Sequence, residues 1–473
     1  MTRKEFNRIA AIITSGIAFP ILAHSFPEKK WTSLRLEPSE RKFKSKAVDN
    51  LIDEIKAHCK DPELAWLFEN CFPNTLDTTA FFEIKNGLPD TYVITGDIDA
   101  MWLRDSSAQV HPYIPLCSLD KDLSLLIEGL IRRQTKYILL DPYANAFYKD
   151  ATKKSQWQHD KTEMRLGVHE RKWELDSLCY CIRLAYHYWK QTTNQSMFDA
   201  TWMDAMQLIV HTMKVQQRKE NKGDYHFQRR TFSKTDTQSN HGYGKPCKPN
   251  GMICSAFRNS DDATTYLYNI PENLFAVAAL RQLAEITQSI HPNSSLSKEC
   301  LVLSNEVEAA VLEHGIVTNQ TFGEIYAYET DGFGNFLNME DAGIPGLVTI
   351  PYLGYGSFKD KMYERSRMFA LSNSNPYFYS SNIAEGNGSP HTEYRGKMIW
   401  PIGIIARALT ASDETEITKC LTMLKTTHAG KGFMHESFQK DNPNNFTRQW
   451  FAWANSLFGE MICKVYREKP HLL

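Results

Sequence analysis

Residues 174–190, with the sequence ELDSLCYCIRLAYHYWK, carry apolar side chains at the spacing of a helix. A run of this length in which apolar residues return every three or four positions indicates an amphipathic helix. Eight more segments show the same pattern, so the sequence predicts a mainly α-helical fold. These segments are residues 46–59, 120–139, 198–216, 272–288, 295–313, 399–410, 413–427 and 451–466.

The segments between the predicted helices are long and rich in Gly, Pro, Asn and aromatic residues, most clearly at 240–262, 331–357 and 372–397. Loops of this length in compact proteins usually carry function. No Ser/Gly linker or low-complexity tract divides the chain, which favours a single domain over residues 26–473. Regular helix-and-loop units suit a toroid of paired helices whose loops converge on one face, although periodicity alone does not distinguish it from a helical solenoid.

The first 25 residues have the pattern of an export signal. Basic residues, among them Arg3 and Arg8, precede an apolar stretch over residues 9–23, and small residues follow at the positions that a signal peptidase reads. The apolar stretch is shorter than the ~20 residues that span a bilayer. We therefore expect residues 1–25 to be removed, no stable insertion into a membrane, and a periplasmic or secreted protein. The general export route and the twin-arginine route both stay open.

The charge balance bears on the kind of ligand. The chain has 54 Lys and Arg residues against 55 Asp and Glu residues, and 12% of its residues are aromatic. A chain without a positive field or a basic run has nothing to gather phosphates, which excludes nucleic acid as a partner. Aromatic rings with a polar handle suit sugars, so a neutral ligand of that kind is favoured.

The ten cysteines lack the dense spacing of a disulfide framework. Most of them fit the role of small apolar core residues. Cys247 and Cys254 differ, because they flank a loop rich in Gly, Pro and Asn and could pair.

The first segment that suggests chemistry is residues 92–106, YVITGDIDAMWLRDS. Arg104 and Asp105 follow Trp102, so charged groups and an aromatic face are neighbours. A guanidinium and a carboxylate can each make bidentate hydrogen bonds to adjacent hydroxyls of a sugar ring. An ordinary surface ion pair or a turn is the alternative.

Two carboxyl residues are candidates for acid–base chemistry. Asp176 falls in the first turns of the predicted helix 174–190, where its favourable interaction with the helix dipole is a sufficient alternative explanation. Glu436 lies among bulky residues in GFMHESF (432–438), and partial desolvation there shifts a carboxyl pKa in a way that suits acid–base work. For Glu436 the alternative is a loop glutamate paired with Arg448.

Several common motifs are absent from the sequence. It has no GxGxxG after a strand, no Walker loop, no HExxH and no GxSxG, so dinucleotide, nucleotide, zincin and serine-hydrolase functions lack their motifs. The histidines show no metal-ligand spacing. The sequence therefore predicts neither a cofactor nor a metal ion.

Taken together, these segments resemble glycoside hydrolase family 125, the exo-acting α-1,6-mannosidases. The likeness runs from about residue 40 to the C-terminus. It rests on TGD (95–97), MWLRDS (101–106), WELDS (173–177), RNSDDAT (258–264), IPYLG (350–354), MHESF (434–438) and WFAWAN (450–455).

The resemblance implies an (α/α)6 barrel with long active-site loops on one face, inversion at the anomeric carbon and a pocket that closes over one terminal mannose. By motif position it implies Asp176 as the general acid and Glu436 as the general base. Glu340 stands where the family pattern has an aspartate, which leaves its role open. The implied substrate-binding residues are Arg104, Asp105, Glu174, Arg258, Asp261, Asp262, Asp341, His391 and Trp400.

The residues and the resemblance together predict an inverting exo-α-mannosidase that releases terminal mannose, most simply α-1,6-linked, from an oligosaccharide or glycan. Cleavage of a glycoside needs a protonated carboxyl at the leaving oxygen and a carboxylate that activates water. Two alternatives remain: a non-catalytic glycan-binding protein with the same aromatic pocket, and a helical-barrel hydrolase of another sugar.

Overall fold

Twelve α-helices dominate residues 31–473, the part of the chain that the computed structural model describes. The predicted export signal, residues 1–25, lies outside the described residues. The helices are α1 (Lys46–His58), α2 (Pro62–Cys71), α3 (Leu103–Val110), α4 (Lys121–Leu140), α5 (Leu175–Thr192), α6 (Ala200–Gln216), α7 (Ile270–Ile290), α8 (Leu296–His314), α9 (Lys361–Ala370), α10 (Pro401–Leu409), α11 (Glu414–Thr427) and α12 (Ala452–Glu468).

The helices form an inner and an outer ring. Helix α5 packs against both α3 and α7, and α12 packs against both α3 and α10. A short 3₁₀ helix, Leu347–Thr349, contacts α9 and α10 and takes the remaining inner position. The outer ring consists of α4, α6, α8, α9, α11 and α2, so inner and outer elements alternate along the chain. This is the predicted (α/α)6 barrel, built from residues 33–473 as one compact unit.

Helix α3 of the inner ring and helix α8 of the outer ring differ in burial. Every residue of α3 is buried, although its sequence LRDSSAQV is mostly polar. Helix α8 of the outer ring instead buries fewer than half of its residues, along one face. A helix enclosed on all sides has no solvent-facing stripe, so its sequence loses the amphipathic period.

Fifteen short strands form antiparallel sheets of two or three strands. Four of them end where an inner helix is about to begin, so the sheets and loops gather at the N-terminal ends of the inner helices. The strands are β1 (Ala80–Lys85), β2 (Leu88–Val93), β3 (Met101–Trp102), β4 (Ala146–Phe147), β5 (Val168–Glu170), β6 (Tyr268–Asn269), β7 (Ile316–Asn319), β8 (Gly323–Tyr326), β9 (Glu329–Thr330), β10 (Phe336–Leu337), β11 (Phe378–Ser380), β12 (Glu385–Asn387), β13 (Met398–Ile399), β14 (Phe438–Gln439) and β15 (Asn442–Phe446).

All nine helices predicted from periodicity are confirmed, with ends that differ by a few residues. Helices α2, α3 and α9, which have eight to ten residues each, were not predicted from the sequence. Within residues 31–473, the structure contains no helix with the length and apolar character needed to span a membrane.

The ring closes where α12 meets the end of α2. Gly459 of α12 lies against Phe72, and a Cβ atom at this glycine would stand 2.5 Å from the Phe72 ring and 3.0 Å from its Cα. The Phe72 ring is itself stacked on Phe68, with 5.0 Å between ring centroids. The close approach of α2 and α12 therefore requires glycine at this position.

We expect Gly459→Ala to lower the free energy of unfolding by about 1–3 kcal/mol, because the added methyl overpacks a rigid contact. Gly403→Ala in α10 is the matched control. Its Cβ would meet atoms at 3.5 Å or more, so the better helix propensity of alanine should leave stability equal or slightly higher. Urea unfolding of both variants measures the difference, and equal effects would contradict the packing constraint.

Candidate active site

A cavity opens at the N-terminal ends of the inner helices. Its wall combines carboxyl groups, two arginines, one histidine and a group of aromatic rings. Such convergence of polar groups with aromatic surface is typical of a ligand site. The lining residues are Thr95, Ile98, Trp102, Arg104, Asp105, Asn259, Ser260, Asp261, Gly343, His391, Trp400, Glu436, Arg448, Phe451 and Trp453.

Arg104 is the cation on which the buried acids converge. Its Nη1 donates to Glu174 Oε2 at 2.8 Å and lies 3.4 Å from both oxygens of Asp176. Its Nε and Nη2 lie 3.6 Å from Asp105 and 3.5 Å from Asp261. Four carboxyl groups thus share one guanidinium whose side chain is almost fully buried. Like charges at this spacing cannot all ionise, so the cluster retains protons.

Asp261 is held at the cavity surface by its backbone. It adopts a left-handed conformation with φ of 66°, which Asp tolerates better than most residues. The buried Lys172 ammonium donates to the Asp261 carbonyl at 2.9 Å and fixes this turn. The side chain of Asp261 is 32% exposed, so its carboxyl reaches the cavity.

Glu174 and Asp261 form a carboxyl pair. Burial raises the pKa of Glu174 well above its usual range. Burial also opposes ionisation of Asp261, but two nearby cations and the hydrogen bond with Glu174 lower its pKa to about 2. The pair therefore holds one proton, which Glu174 donates to the Asp261 carboxylate.

Asp176 lies behind Arg104 and does not line the cavity. Its side chain is 0% exposed. Burial raises the pKa of Asp176 to about 6, against the lowering effect of Arg104. The structure places the predicted acid among the groups that hold Arg104 and separates it from the cavity surface.

Glu436 reaches the cavity from the loop before β14. Its Oε1 lies 3.4 Å from Arg448 Nε, so the ion pair that the sequence offered as an alternative is present within the site itself. Arg448 also approaches Asp97 at 3.6 Å. The neighbouring His435 contacts the carbonyl of Gln449 at 2.8 Å through Nδ1, which fixes the loop that carries Glu436.

His391 and Trp400, two of the residues proposed to bind substrate, line the cavity. His391 Nδ1 lies 3.2 Å from Asp262 Oδ1. Burial alone would lower the pKa of His391, but the bond to Asp262 and the nearby carboxylates of Glu436 and Asp261 raise it to about 9. His391 is therefore a cation at neutral pH.

Three further predicted binding residues, Arg258, Asp262 and Asp341, do not line the cavity and lie behind its wall. Arg258 donates from Nε to Glu329 Oε1 at 2.6 Å. Asp341 accepts a hydrogen bond at Oδ2 from the cavity residue Ser260 at 2.8 Å. Asp262 contacts the cavity residue His391. These residues brace the loops that line the cavity.

Glu340, whose role the sequence left open, caps the short 3₁₀ helix of the inner ring. Its carboxyl oxygens accept from the backbone N–H groups of Leu347 at 2.8 Å and Val348 at 3.2 Å. Burial raises the pKa of Glu340 to about 8. The position is structural, and it does not line the cavity.

Several buried polar atoms in and beside the cavity have no hydrogen-bond partner within the protein. In native proteins most buried polar groups are paired, so a group of orphans requires an explanation. A ligand rich in hydroxyl groups would satisfy both the donors and the acceptors. The atoms are Trp102 Nε1, Arg104 Nε, Asn259 Oδ1, Asp261 Oδ1, Asp262 Oδ2 and Asp341 Oδ1.

The sequence motifs contain Trp102, Asn259 and Trp453, but these three residues were not predicted to belong to the site. The aromatic entry into the last helix was the available signal for Trp453, whose ring lies 5.8 Å from the Arg104 guanidinium carbon. No motif in the sequence identified Gly343 as a residue of the site.

A larger groove of about 510 Å³ lies on the outside of the ring, between α6 and α8. Its ion pair of Lys214 with Glu299 is more than 40% exposed, and its lining residues carry no orphaned buried group. The smaller cavity at the inner helix ends is therefore the better candidate. Across residues 31–473, no cluster of three or more His, Cys, Asp or Glu side chains is arranged to hold a metal ion.

Comparison with known proteins gives one family match. The model of the family described as metal-independent α-mannosidase (GH125) matches residues 61–463. The Meiotically up-regulated gene 157 protein of Schizosaccharomyces pombe is 40% identical over 451 residues, which is 92% of this chain and 88% of the yeast protein.

Solved structures also match. A Streptococcus pneumoniae metal-independent α-mannosidase, solved in a non-productive complex with α-1,6-mannobiose, is 40% identical with a TM-score of 0.86, and the match covers 90% of this chain and 100% of that one. A bacterial glucoamylase in complex with acarbose has 12% identity and a TM-score of 0.50 over 84% of this chain and 54% of that one. The second likeness bears on the fold alone.

Removal of the Arg104 charge should expose the like-charge repulsion in the acid cluster. We expect Arg104→Met to lower the free energy of unfolding by about 3–5 kcal/mol near neutral pH, because buried carboxylates lose their partner. Without Arg104 the folded-state pKa values of Glu174 and Asp176 rise further above their unfolded values. Such groups favour folding only while protonated, so the deficit should grow between pH 5 and pH 8.

Urea unfolding at both pH values measures this change. Arg133→Met is the control, since its partner Asp90 keeps a second cation, Lys136, at 3.1 Å. A deficit for Arg104→Met that is the same at pH 5 and pH 8 would contradict proton sharing in the cluster.

Proposed function

Because the chain belongs to the family of metal-independent α-mannosidases, glycoside hydrolase family 125, we propose that this glycoside hydrolase is an inverting exo-α-1,6-mannosidase. Its substrate is an oligosaccharide or glycan that ends in mannose. The carboxyl groups of Asp261 and Glu436 face one cavity, and buried polar atoms in and beside this cavity have no hydrogen-bond partner within the protein. This observation carries the proposal, because the hydroxyl groups of a sugar would pair with those atoms. The complex of the streptococcal relative with α-1,6-mannobiose supports the choice of linkage.

Glu436 is the general base in this proposal. An inverting glycosidase needs one carboxylate that activates water on the face of the sugar opposite the leaving group. Glu436 lines the cavity, and Arg448 holds its Oε1 at 3.4 Å and so orients the carboxylate. The rigid loop around His435 supports this position.

The general acid is assigned to Asp261 in place of Asp176, the acid predicted from the sequence. A general acid must come within hydrogen-bonding distance of the leaving oxygen. Asp261 is 32% exposed and lines the cavity, whereas the side chain of Asp176 is fully buried behind Arg104.

The proton for this step comes from the carboxyl pair. In the resting enzyme Glu174 carries the proton and donates a hydrogen bond to Asp261. The proton of Glu174 first passes to Asp261, and the protonated Asp261 then donates it to the leaving oxygen as the glycosidic bond breaks, which leaves both carboxyl groups ionised. Glu436 takes a proton from the attacking water at the same time, so the hydroxyl adds to the anomeric carbon from the opposite face.

The cationic His391 and the arginines complete the electrostatics of the site. Cleavage proceeds through a transition state with positive charge on the sugar ring, and the carboxylates that line the cavity favour that charge. His391 and Arg104 balance these carboxylates when the cavity is empty of substrate. We further propose that the enzyme acts outside the cytoplasm, as the N-terminal export pattern suggests.

Single amide substitutions distinguish the two candidate acids. Asp261→Asn should lower kcat/KM for α-1,6-mannobiose by about 10²–10⁴-fold and have a much smaller effect on an activated aryl α-mannoside, which needs little protonation. Glu436→Gln should slow both substrates. Asp176→Asn, the matched control, keeps the shape beside Arg104 and should change both substrates by the same modest factor.

Steady-state kinetics on the two substrates provide the measurement. If the loss for Asp176→Asn depended on the leaving group and that for Asp261→Asn did not, Asp176 would be the acid after all.

Product analysis tests the activity itself. Incubation with α-1,6-, α-1,2- and α-1,3-linked mannobioses should release mannose most rapidly from the α-1,6 isomer, and proton NMR should detect β-mannose first. Early α-mannose would exclude inversion. Binding without release of mannose would favour the glycan-binding alternative, and release of another sugar from a substrate panel would favour the other-hydrolase alternative.

A further inference from the structure

Two cysteines outside the cavity lie side by side. Cys247 and Cys254 flank a loop of six residues, 248–253, and their sulfur atoms are 3.6 Å apart. A disulfide bond is about 2.05 Å long, so the two thiols are in contact without a bond. All ten cysteines of the chain are free thiols in the structure.

The loop between the two cysteines is fixed by hydrogen bonds to its surroundings. The backbone N–H of Lys248 donates to the carbonyl of Asp331 at 2.8 Å. Gln217 donates from its side chain to the carbonyl of Gly251 at 2.6 Å. Gly251 has a φ of 106°, which only glycine adopts readily, and this turn directs the chain back toward Cys247. The approach of the two sulfur atoms is therefore built into the fold.

The two thiols differ in access and in charge. Cys247 is half-buried, while Cys254 is fully buried. The hydrogen bond from the Cys254 thiol, together with the nearby Arg218 guanidinium, lowers the pKa of Cys247 to about 6. Burial raises the pKa of Cys254 well above its usual range. An accessible thiolate beside a buried thiol is the arrangement of an attacking and a resolving cysteine.

We propose that Cys247 and Cys254 are a modification site, a dithiol that closes to a disulfide by exchange with a low-molecular-weight disulfide. The Cys247 thiolate attacks one sulfur of that disulfide and releases the other half as a thiolate. Cys254 then loses its proton to solvent and attacks the Cys247 sulfur, which releases the second half. Two protein thiols are oxidised, and one small disulfide is reduced to two thiols.

Other cysteines of the chain lack this arrangement. Cys179 and Cys181 are two residues apart on α5, but their thiols donate to different carbonyls, those of Leu175 at 3.3 Å and Ser177 at 3.5 Å. Cys59 is half-buried like Cys247, yet its thiol donates to the carbonyl of Asp61 at 3.3 Å. Cys59 is thus a matched control, since its thiol has similar exposure but its hydrogen-bond partner is a carbonyl and not a second cysteine.

The bridge would stiffen the support of the active-site loops without touching the cavity. The carbonyl of Cys254 accepts from Trp173 Nε1 at 2.7 Å, and the next residue, Ser255, accepts from the backbone of Leu175 at 3.0 Å. Neither sulfur lines the cavity. Oxidation should therefore raise the temperature of unfolding and leave the glycosidase kinetics unchanged, so the proposal stands independently of the substrate assignment.

The test uses the full chain, reduced and then incubated with excess oxidised glutathione, with free thiols trapped by N-ethylmaleimide. Lys245 and Lys248 each precede a proline, where trypsin does not cut, so one peptide, residues 235–258, holds both cysteines. In the wild type this peptide should lose two hydrogens and carry no alkyl group. Cys254→Ser should stop at a glutathione adduct on Cys247, and Cys59→Ser should behave as the wild type.

Two results would overturn the proposal. One is complete alkylation of both cysteines in the wild-type peptide after oxidation, and the other is a stable glutathione adduct on wild-type Cys247 with no loss of hydrogen from the pair. If Cys254→Ser fails to fold, the wild-type peptide mass alone decides between closure and its absence. An oxidised form that unfolds at a lower temperature than the reduced form would contradict the stabilising role.

Discussion

The buried guanidinium of Arg104 is the constraint on which the rest of the site depends. Four carboxyl groups surround it, so one positive charge must balance several acids in a water-poor interior. Such a cluster is stable only if some acids keep their protons. The barrel thereby stores an acidic proton next to a cavity at neutral pH, and it does so at the first turn of an inner helix that has no solvent-facing side.

The fold was largely predictable from the sequence, because outer helices and long inner helices have the apolar period that packing against one neighbour requires. Helix α3 was not, since only eight mostly polar residues, LRDSSAQV, form it and the whole helix is buried. The same reason limited the site prediction. The motifs implied Asp176 as the acid and Asp261 only as a binding residue, whereas the fold places Asp176 behind Arg104 and presents Asp261 to the cavity from a left-handed turn. Glu436, which the sequence singled out among bulky residues, lies at the cavity beside Arg448, and its role as the base stays a prediction.

The residues behind the cavity wall explain why the motifs are long. Arg258 pairs with Glu329, Asp341 holds the cavity residue Ser260, and Glu340 binds the backbone of the inner 3₁₀ helix. They fix loops whose own polar atoms are left unpaired toward the cavity. Precise placement of a few groups thus requires many more buried polar residues than those that face the substrate.

The closure of the ring also affects how the chain folds. Asn74, just after α2, accepts a side-chain hydrogen bond at 3.1 Å from Asn455 in α12, a partner 381 residues away in sequence. Contacts of such high order form late, because the loop entropy of the whole chain must be overcome first. Until α12 has emerged from the ribosome, the ring is therefore incomplete, and the surfaces that α12 later covers are exposed. Chaperone binding during synthesis suits a barrel whose ring is completed by α12.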